Sequence, residues 1–215
     1  MNTVTVPYVK NLEKLSPKQL EEKLVSDGVF LKVENAPWKE YPYRPLVTVN
    51  LAADENYIFA RFLVKGLGLK AIYSKTNEPV WQDSCVEVFI ADADGQGYHN
   101  FEFNCIGTLL SSYRKARKVD VRPITEEDAA KILRYASAGI EPFEEIEGEH
   151  SWTLTVGIPF SLVGYDKRPD ELRGNFYKCA NYSKWLHYLS WAPIDTPAPD
   201  FHRPEFFGTL KLNKE

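Results

Sequence analysis

Val86-Glu87-Val88-Phe89-Ile90-Ala91, then Asp92-Ala93-Asp94-Gly95-Gln96-Gly97, then Tyr98-His99-Asn100-Phe101-Glu102-Phe103-Asn104-Cys105, is the stretch on which the fold turns. Two runs rich in β-branched and aromatic residues flank six small or polar residues that tolerate positive φ. The reading is a β-hairpin with strands at residues 86–91 and 98–105. Glu87 and Glu102 then lie on neighbouring strands.

Upstream of the hairpin, residues 3–9 alternate like a strand, and residues 29–33 and 46–50 read as two more. Between them runs Pro37-Trp38-Lys39-Glu40-Tyr41-Pro42-Tyr43-Arg44-Pro45, a loop kept extended by its prolines. Residues 57–65 read as a well-buried strand closed by Gly66-Leu67-Gly68. Downstream, strands are expected at residues 152–158, 175–181, 187–191 and 207–212. Two helices interrupt this pattern. Ser16-Pro17-Lys18-Gln19 supplies an N-cap serine, a proline at the first helical position and a capping-box glutamine for a helix to residue 25. Thr125-Glu126-Glu127-Asp128 caps a second over residues 126–135, with acids at its positive end. Many short strands between Gly/Pro turns, with two or three short peripheral helices, predict an all-β fold: an antiparallel two-sheet β-sandwich. The 215 residues fit one such domain, with residues 1–37 packing onto it as an amino-terminal strand and helix.

With 12 Tyr, 12 Phe and 5 Trp the chain is rich in rings that suit strands and sugar-binding surfaces alike. The net charge of -4, from 30 acidic and 26 basic residues without a block of either sign, offers no phosphate-binding stripe, so nucleic acid is not an expected partner. No apolar run has membrane-spanning length and no basic segment precedes an apolar one, so no membrane partner is expected. The expected location is cytoplasmic if Met1 is the native start, and otherwise exported with its signal removed. Cys85, Cys105 and Cys179 are odd in number and too widely spaced for a zinc knuckle; they read as buried thiols. Asp92-x-Asp94-Gly95 matches part of a calcium loop but lacks the third oxygen ligand and the distal acid, so it reads as a turn and no metal site is assigned. Gly-rich phosphate loops, metalloprotease helices and Gly-x-Ser-x-Gly elbows are missing.

Trp81-Gln82-Asp83-Ser84-Cys85-Val86-Glu87-Val88-Phe89-Ile90 resembles the family 9 carbohydrate-binding modules, in which a tryptophan precedes an Asp-Ser-x-Glu-x-Phe strand. The resemblance continues through Tyr98 with Phe101-Glu102-Phe103-Asn104-Cys105-Ile106-Gly107, through Trp152 to Ile158-Pro159-Phe160, and through Leu189-Ser190-Trp191-Ala192-Pro193. It ends with Phe206-Phe207-Gly208-Thr209-Leu210 and spans residues 38–212 with the motifs in family order. It implies a sandwich related to DOMON-type domains, found beside xylanases and other polysaccharide enzymes. Such modules bind sugars without cleaving them, and some hold structural calcium; no other cofactor is expected.

A sugar site needs a flat ring against the apolar face of a pyranose and planar polar groups around its hydroxyl rim. The resemblance makes Trp81 one wall of an aromatic clamp and Glu87 a hydroxyl acceptor. The competing reading puts Trp81 in the core and Glu87 in solvent. Trp191 and Trp185 are candidates for the second wall, although a Pro-rich segment through Pro204 departs from the family pattern here. Asn181, Arg114 and His202 are further ligand-binding candidates, His202 because Pro199 to Glu205 forms a rigid loop able to close over the same end. Trp38 and Trp152 read as packing residues. The expected function is non-catalytic binding of β-linked gluco- or xylo-oligosaccharides, or their ends. Alternatives are a glycoside hydrolase pairing Glu87 with Glu102 or Glu205, and a scaffold serving an unknown intracellular ligand. Haem ligation of the DOMON kind finds only Met1 and no Cys-x-x-Cys-His.

Overall fold

The hairpin of residues 86–105 forms at the middle of the larger of two packed sheets. The computed structural model describes residues 2–214; Met1, on which the reading of the native start depends, lies outside them. In chain order the strands are β1 (Thr3–Val6), β2 (Val29–Lys32), β3 (Leu46–Ala53), β4 (Tyr57–Ala71), β5 (Cys85–Ala91), β6 (Tyr98–Asn104), β7 (Leu109–Arg114), β8 (Arg122–Pro123), β9 (Leu133–Ala136), β10 (Phe143–Pro159), β11 (Glu171–Cys179), β12 (Tyr188–Ser190) and β13 (Gly208–Leu212). The helices are α1 (Pro17–Asp27) and α2 (Glu126–Ala130). One sheet runs β1-β13-β11-β5-β6-β7-β8, with β12 also on β11; the other runs β2-β3-β4-β10-β9. This is the all-β two-sheet sandwich that the strand spacing predicts.

Period-two alternation builds the core. Val86, Val88 and Ile90 of β5, Phe101 and Phe103 of β6 and Phe176 of β11 point inward. They join Val49, Phe62, Val64 and Leu154 of the opposite sheet in one buried cluster. Phe62 and Phe176 meet across it with ring centroids 6.4 Å apart. Each such side chain contributes about 1.5–3 kcal/mol by leaving water. Helix α1 forms with its proline and its Ser16/Gln19 capping box, and lays Leu20 and Leu24 on Ala52 and Phe59 outside the smaller sheet.

Four details differ from the sequence reading. Strand β1 pairs with β13 in parallel, because the chain enters and leaves along one edge in the same direction. Gly66 and Gly68 do not end β4, which runs on to Ala71 beside β10. Gly68 instead holds φ at +77° and makes room for the Trp185 ring, whose Cε3 lies 2.5 Å from where a Cβ would sit. The second helix stops at Ala130, because Leu133–Ala136 pairs with β10 and packs the half-buried Leu133 and Tyr135 beside Phe59. Pairing at a sheet edge outweighs the local helix signal. Strands β7 and β8 extend the hairpin's sheet without having been assigned from sequence.

The outer face of the larger sheet is also covered, by the Pro-rich segment of residues 193–207 and the loop around Trp38. Phe89, Tyr98 and Tyr177 pack there with Trp38, Phe201 and Phe207. Tyr177 and Phe201 stack at 4.3 Å, and the Trp38 indole N–H donates to the Thr196 carbonyl at 3.0 Å. This cover is incomplete, and the gap in it positions the site.

Candidate functional site

Directly opposed residues on neighbouring strands share a face. Glu87 of β5 lies between Glu102 of β6 and Tyr177 of β11, and Cys85 lies between Asn104 and Cys179. All of these are on the outward face of the sheet, and Glu87, Glu102 and Cys179 among them line a cavity of about 280 Å³. Glu87, Glu102 and Cys179 form its floor; Trp81, Asn181 and Tyr188 stand beside them; Arg114, Asp200 and His202 reach it from β7 and the Pro-rich segment.

Trp81 sits in a short 3-10 turn, Val80–Gln82, before β5. Its carbonyl accepts from the Asn181 N–H at 3.2 Å, which ties that turn to the end of β11. The indole is half-buried, tilts against Tyr182 at 6.1 Å and lines the cavity. Tyr188 is held by edge contacts with Tyr41 and Trp38 at 4.9 and 5.9 Å.

The floor is costly to charge. Burial raises the Glu87 carboxyl well above the usual range, and the neighbouring Cys179 and Glu102 add to it. Burial likewise raises Glu102 to about 7, against the opposing pull of Arg114 and of the Asn100 amide, which donates to Oε1 at 3.0 Å. Glu102 Oε2 and Asn181 Oδ1 have no hydrogen-bond partner among the described residues. Arg114 is fixed by bonds from Nε to Asn100 Oδ1 and Ser112 Oγ at 3.0 and 2.8 Å, and from Nη1 to the Arg117 carbonyl at 2.6 Å. Burial, with Arg114 and Arg117 nearby, lowers His202 to about 3, so its ring is neutral. The Tyr98 hydroxyl lies 2.9 Å from His202 Nδ1; with Tyr98 donating, the ring hydrogen sits on Nε2.

Five of the seven residues singled out from sequence meet at this cavity: Trp81, Glu87, Asn181, Arg114 and His202. Trp191 does not. It is opposite Phe176, on the inward parity, only 6 % exposed, with its ring 5.7 Å from that phenylalanine and wedged over Gly208. Trp185 does not either; it packs on Gly68 of β4 under the Lys184 ammonium. Tyr188, opposite Cys179, is the aromatic residue that faces the cavity from this tract. The signal was the alternation Tyr188-Leu189-Ser190-Trp191, whose phase only the pairing with β11 fixes. Tyr98, which orients His202, was also missed. The cysteines are buried thiols, as expected. Burial keeps Cys85 protonated and pushes Cys105 up to about 12, which disfavours a nucleophilic role for either. In the Asp92 turn, Asp94 Oδ1 accepts from the Gln96 N–H at 2.7 Å and Asp92 pairs with His99 at 2.9 Å, so both carboxylates serve the turn. Arg203 and Glu205 bind each other on the surface.

The chain is a two-sheet β-sandwich whose larger sheet carries an aromatic and carboxyl-lined pocket on its outer face. Within that class the chain belongs to carbohydrate-binding family 9, whose family model matches residues 17–212. A Bacteroides uniformis protein provisionally described as carbohydrate-binding is 33% identical, with 98% of this chain and 99% of that one covered at a TM-score of 0.92. A family 9 module of Caldicellulosiruptor kristjanssonii in complex with glucose is 11% identical, covering 100% and 97% at 0.58. The module from the same organism in complex with cellotriose is 10% identical, covering 100% and 95% at 0.60. The last two share the fold. Among curated proteins none matches.

Proposed function

We propose that this protein binds carbohydrate without cleaving it, taking the end of a β-linked gluco- or xylo-oligosaccharide into the outer-face cavity. One observation carries this reading: two polar atoms at the cavity, Glu102 Oε2 and Asn181 Oδ1, are buried without partners. Buried polar atoms are nearly always hydrogen-bonded, so these call for water or for a ligand with hydroxyls. A sugar supplies those hydroxyls around its rim and a C–H face for Trp81. The roughly 280 Å³ volume is just below the ~300–1,000 Å³ usual for small-molecule sites, which suits a chain end more than a long groove. Family membership supports the same ligand class.

The hydrolase alternative would use Glu87 and Glu102, which oppose each other on β5 and β6 with both carboxyls raised by burial. Release of reducing sugar from cellotriose by wild type, abolished in Glu102→Gln, would favour it over binding alone.

Calorimetric titration with glucose, cellotriose and xylotriose tests the proposal. Saturable one-to-one binding to wild type, lost in Trp81→Ala with the fold retained, is expected. Absence of heat with all three sugars in folded wild type contradicts it.

A further inference from the structure

A donor set with a second capacity lies at the cavity floor and just beneath it, since Glu87 and Cys179 line the cavity and Cys85 is buried beside them. Cys85 and Glu87 lie two apart on β5, so they share a face, and Cys179 of β11 is directly opposite Cys85. The two Sγ atoms and a Glu87 oxygen all lie within 4.8 Å of one another. Glu87 Oε1 is 3.1 Å from Cys179 Sγ and 4.0 Å from Cys85 Sγ. A tetrahedral zinc ion, with Zn–S ~2.3 Å and Zn–O ~2.1 Å, spaces its ligand atoms about 3.6–3.8 Å apart. The observed separations bracket that figure before any side chain moves.

From this geometry we infer that Cys85, Glu87 and Cys179 form a binding site for zinc or a similar thiophilic divalent cation, with the cavity as the open side for a fourth ligand such as water. Adjacent strands fix the backbone of all three donors, so binding requires little ordering. The chemistry of the set also favours a cation. Two thiols and a carboxyl converge where all three are buried, and the thiols otherwise find only long contacts, Cys85 to the Val86 carbonyl at 3.7 Å and Cys179 to the Trp81 carbonyl at 3.6 Å. Among the described residues no ion pair joins a cation to these donors, although Lys118 and Arg117 line the same cavity. Lys178 points to the opposite face and gives its Nζ to the Cys179 carbonyl at 2.6 Å, while Arg114 serves Asn100, Ser112 and Arg117. Two thiol protons leave as two Zn–S bonds form, joined by the carboxyl proton where Glu87 is protonated. Affinity therefore rises with pH.

The test uses reduced, chelator-treated full-length protein and metal ions alone, without sugar, so its outcome is independent of the carbohydrate reading. Cobalt(II) should bind at one equivalent and give near-ultraviolet thiolate charge-transfer absorption, which zinc then abolishes. Zinc affinity, measured against a chromophoric chelator, should rise at least tenfold from about pH 6 to about pH 8. Cys85→Ser and Cys179→Ser should each weaken it at least tenfold, whereas Cys105→Ser should not. Where a variant fails to fold, the wild-type melting temperature decides, since a ligand of the native state raises it. No charge-transfer band, no zinc-induced rise in melting temperature, or binding unaffected by loss of Cys85 overturns the inference.

Discussion

Strand β5 presents two opposite solutions to burial. Its inward face carries Val86, Val88 and Ile90, apolar groups that only have to fill space. Its outward face carries Cys85, Glu87 and Phe89, of which Glu87 is 3 % exposed with a carboxyl that burial holds far from its ordinary titration range. The same contrast runs through β6, where Phe101 and Phe103 point inward while Asn100, Glu102 and Asn104 point outward. The inner face is explained by folding alone. The outer face buries polar groups, which costs free energy unless they are paired, and Glu102 Oε2 has no partner among the described residues.

The largest effects expected from substitution lie on the inner face. Trp191→Ala should cost about 3–5 kcal/mol of folding stability, read by denaturant unfolding, because the indole fills the space between Phe176 and Gly208. A loss of sugar binding at unchanged stability would instead return Trp191 to the site.

Next comes the pH dependence of the outer face. The folded-state value of Glu102 is raised from 4.5 to about 7, so the folded protein holds the proton more tightly than the unfolded chain. Its contribution is full below about pH 4.5 and is lost as pH rises through about 7, with an upper bound of about 3 kcal/mol. Glu102→Gln should flatten that part of the decline in melting temperature between about pH 5 and 8. An unchanged slope would mean that Glu102 is not buried in its acid form.

Trp81→Ala should lower oligosaccharide affinity about tenfold or more, while costing clearly less stability than Trp191→Ala. Equal destabilisation by the two would erase the difference between the faces. The smallest effect is expected from Asn181→Ala, about 0.5–1.5 kcal/mol of binding free energy in the same titration, since one neutral hydrogen bond is lost at the rim. An unchanged affinity would leave the bare Asn181 oxygen without a ligand role.

Much of this was legible in the sequence, and the exceptions have a common cause. The hairpin, the capped first helix and the order of motifs rest on local signals, and they match the strands and helix observed. Trp81 and Glu87 were singled out through the resemblance of residues 81–90 to the family 9 modules, and the structure brings both to the outer-face cavity. The second aromatic wall was not. Which of Tyr188 and Trp191 faces outward depends on the register of β12 against β11, a long-range pairing that shifts every side chain to the other face with a one-residue slip. The same holds for Cys85 and Cys179, 94 positions apart in sequence and opposite one another in the sheet. The early end of α2 has a related origin, since β9 exists only because β10 is there to pair with it.

A crystal structure of the protein soaked with cellotriose tests the central claim most directly. The account predicts one sugar ring against the Trp81 indole in the outer-face cavity, with Tyr188 at its side and hydroxyls within about 3.2 Å of Glu102 Oε2 and Asn181 Oδ1. Sugar bound instead beside Trp185, or a cavity holding only water at saturating cellotriose, would contradict it.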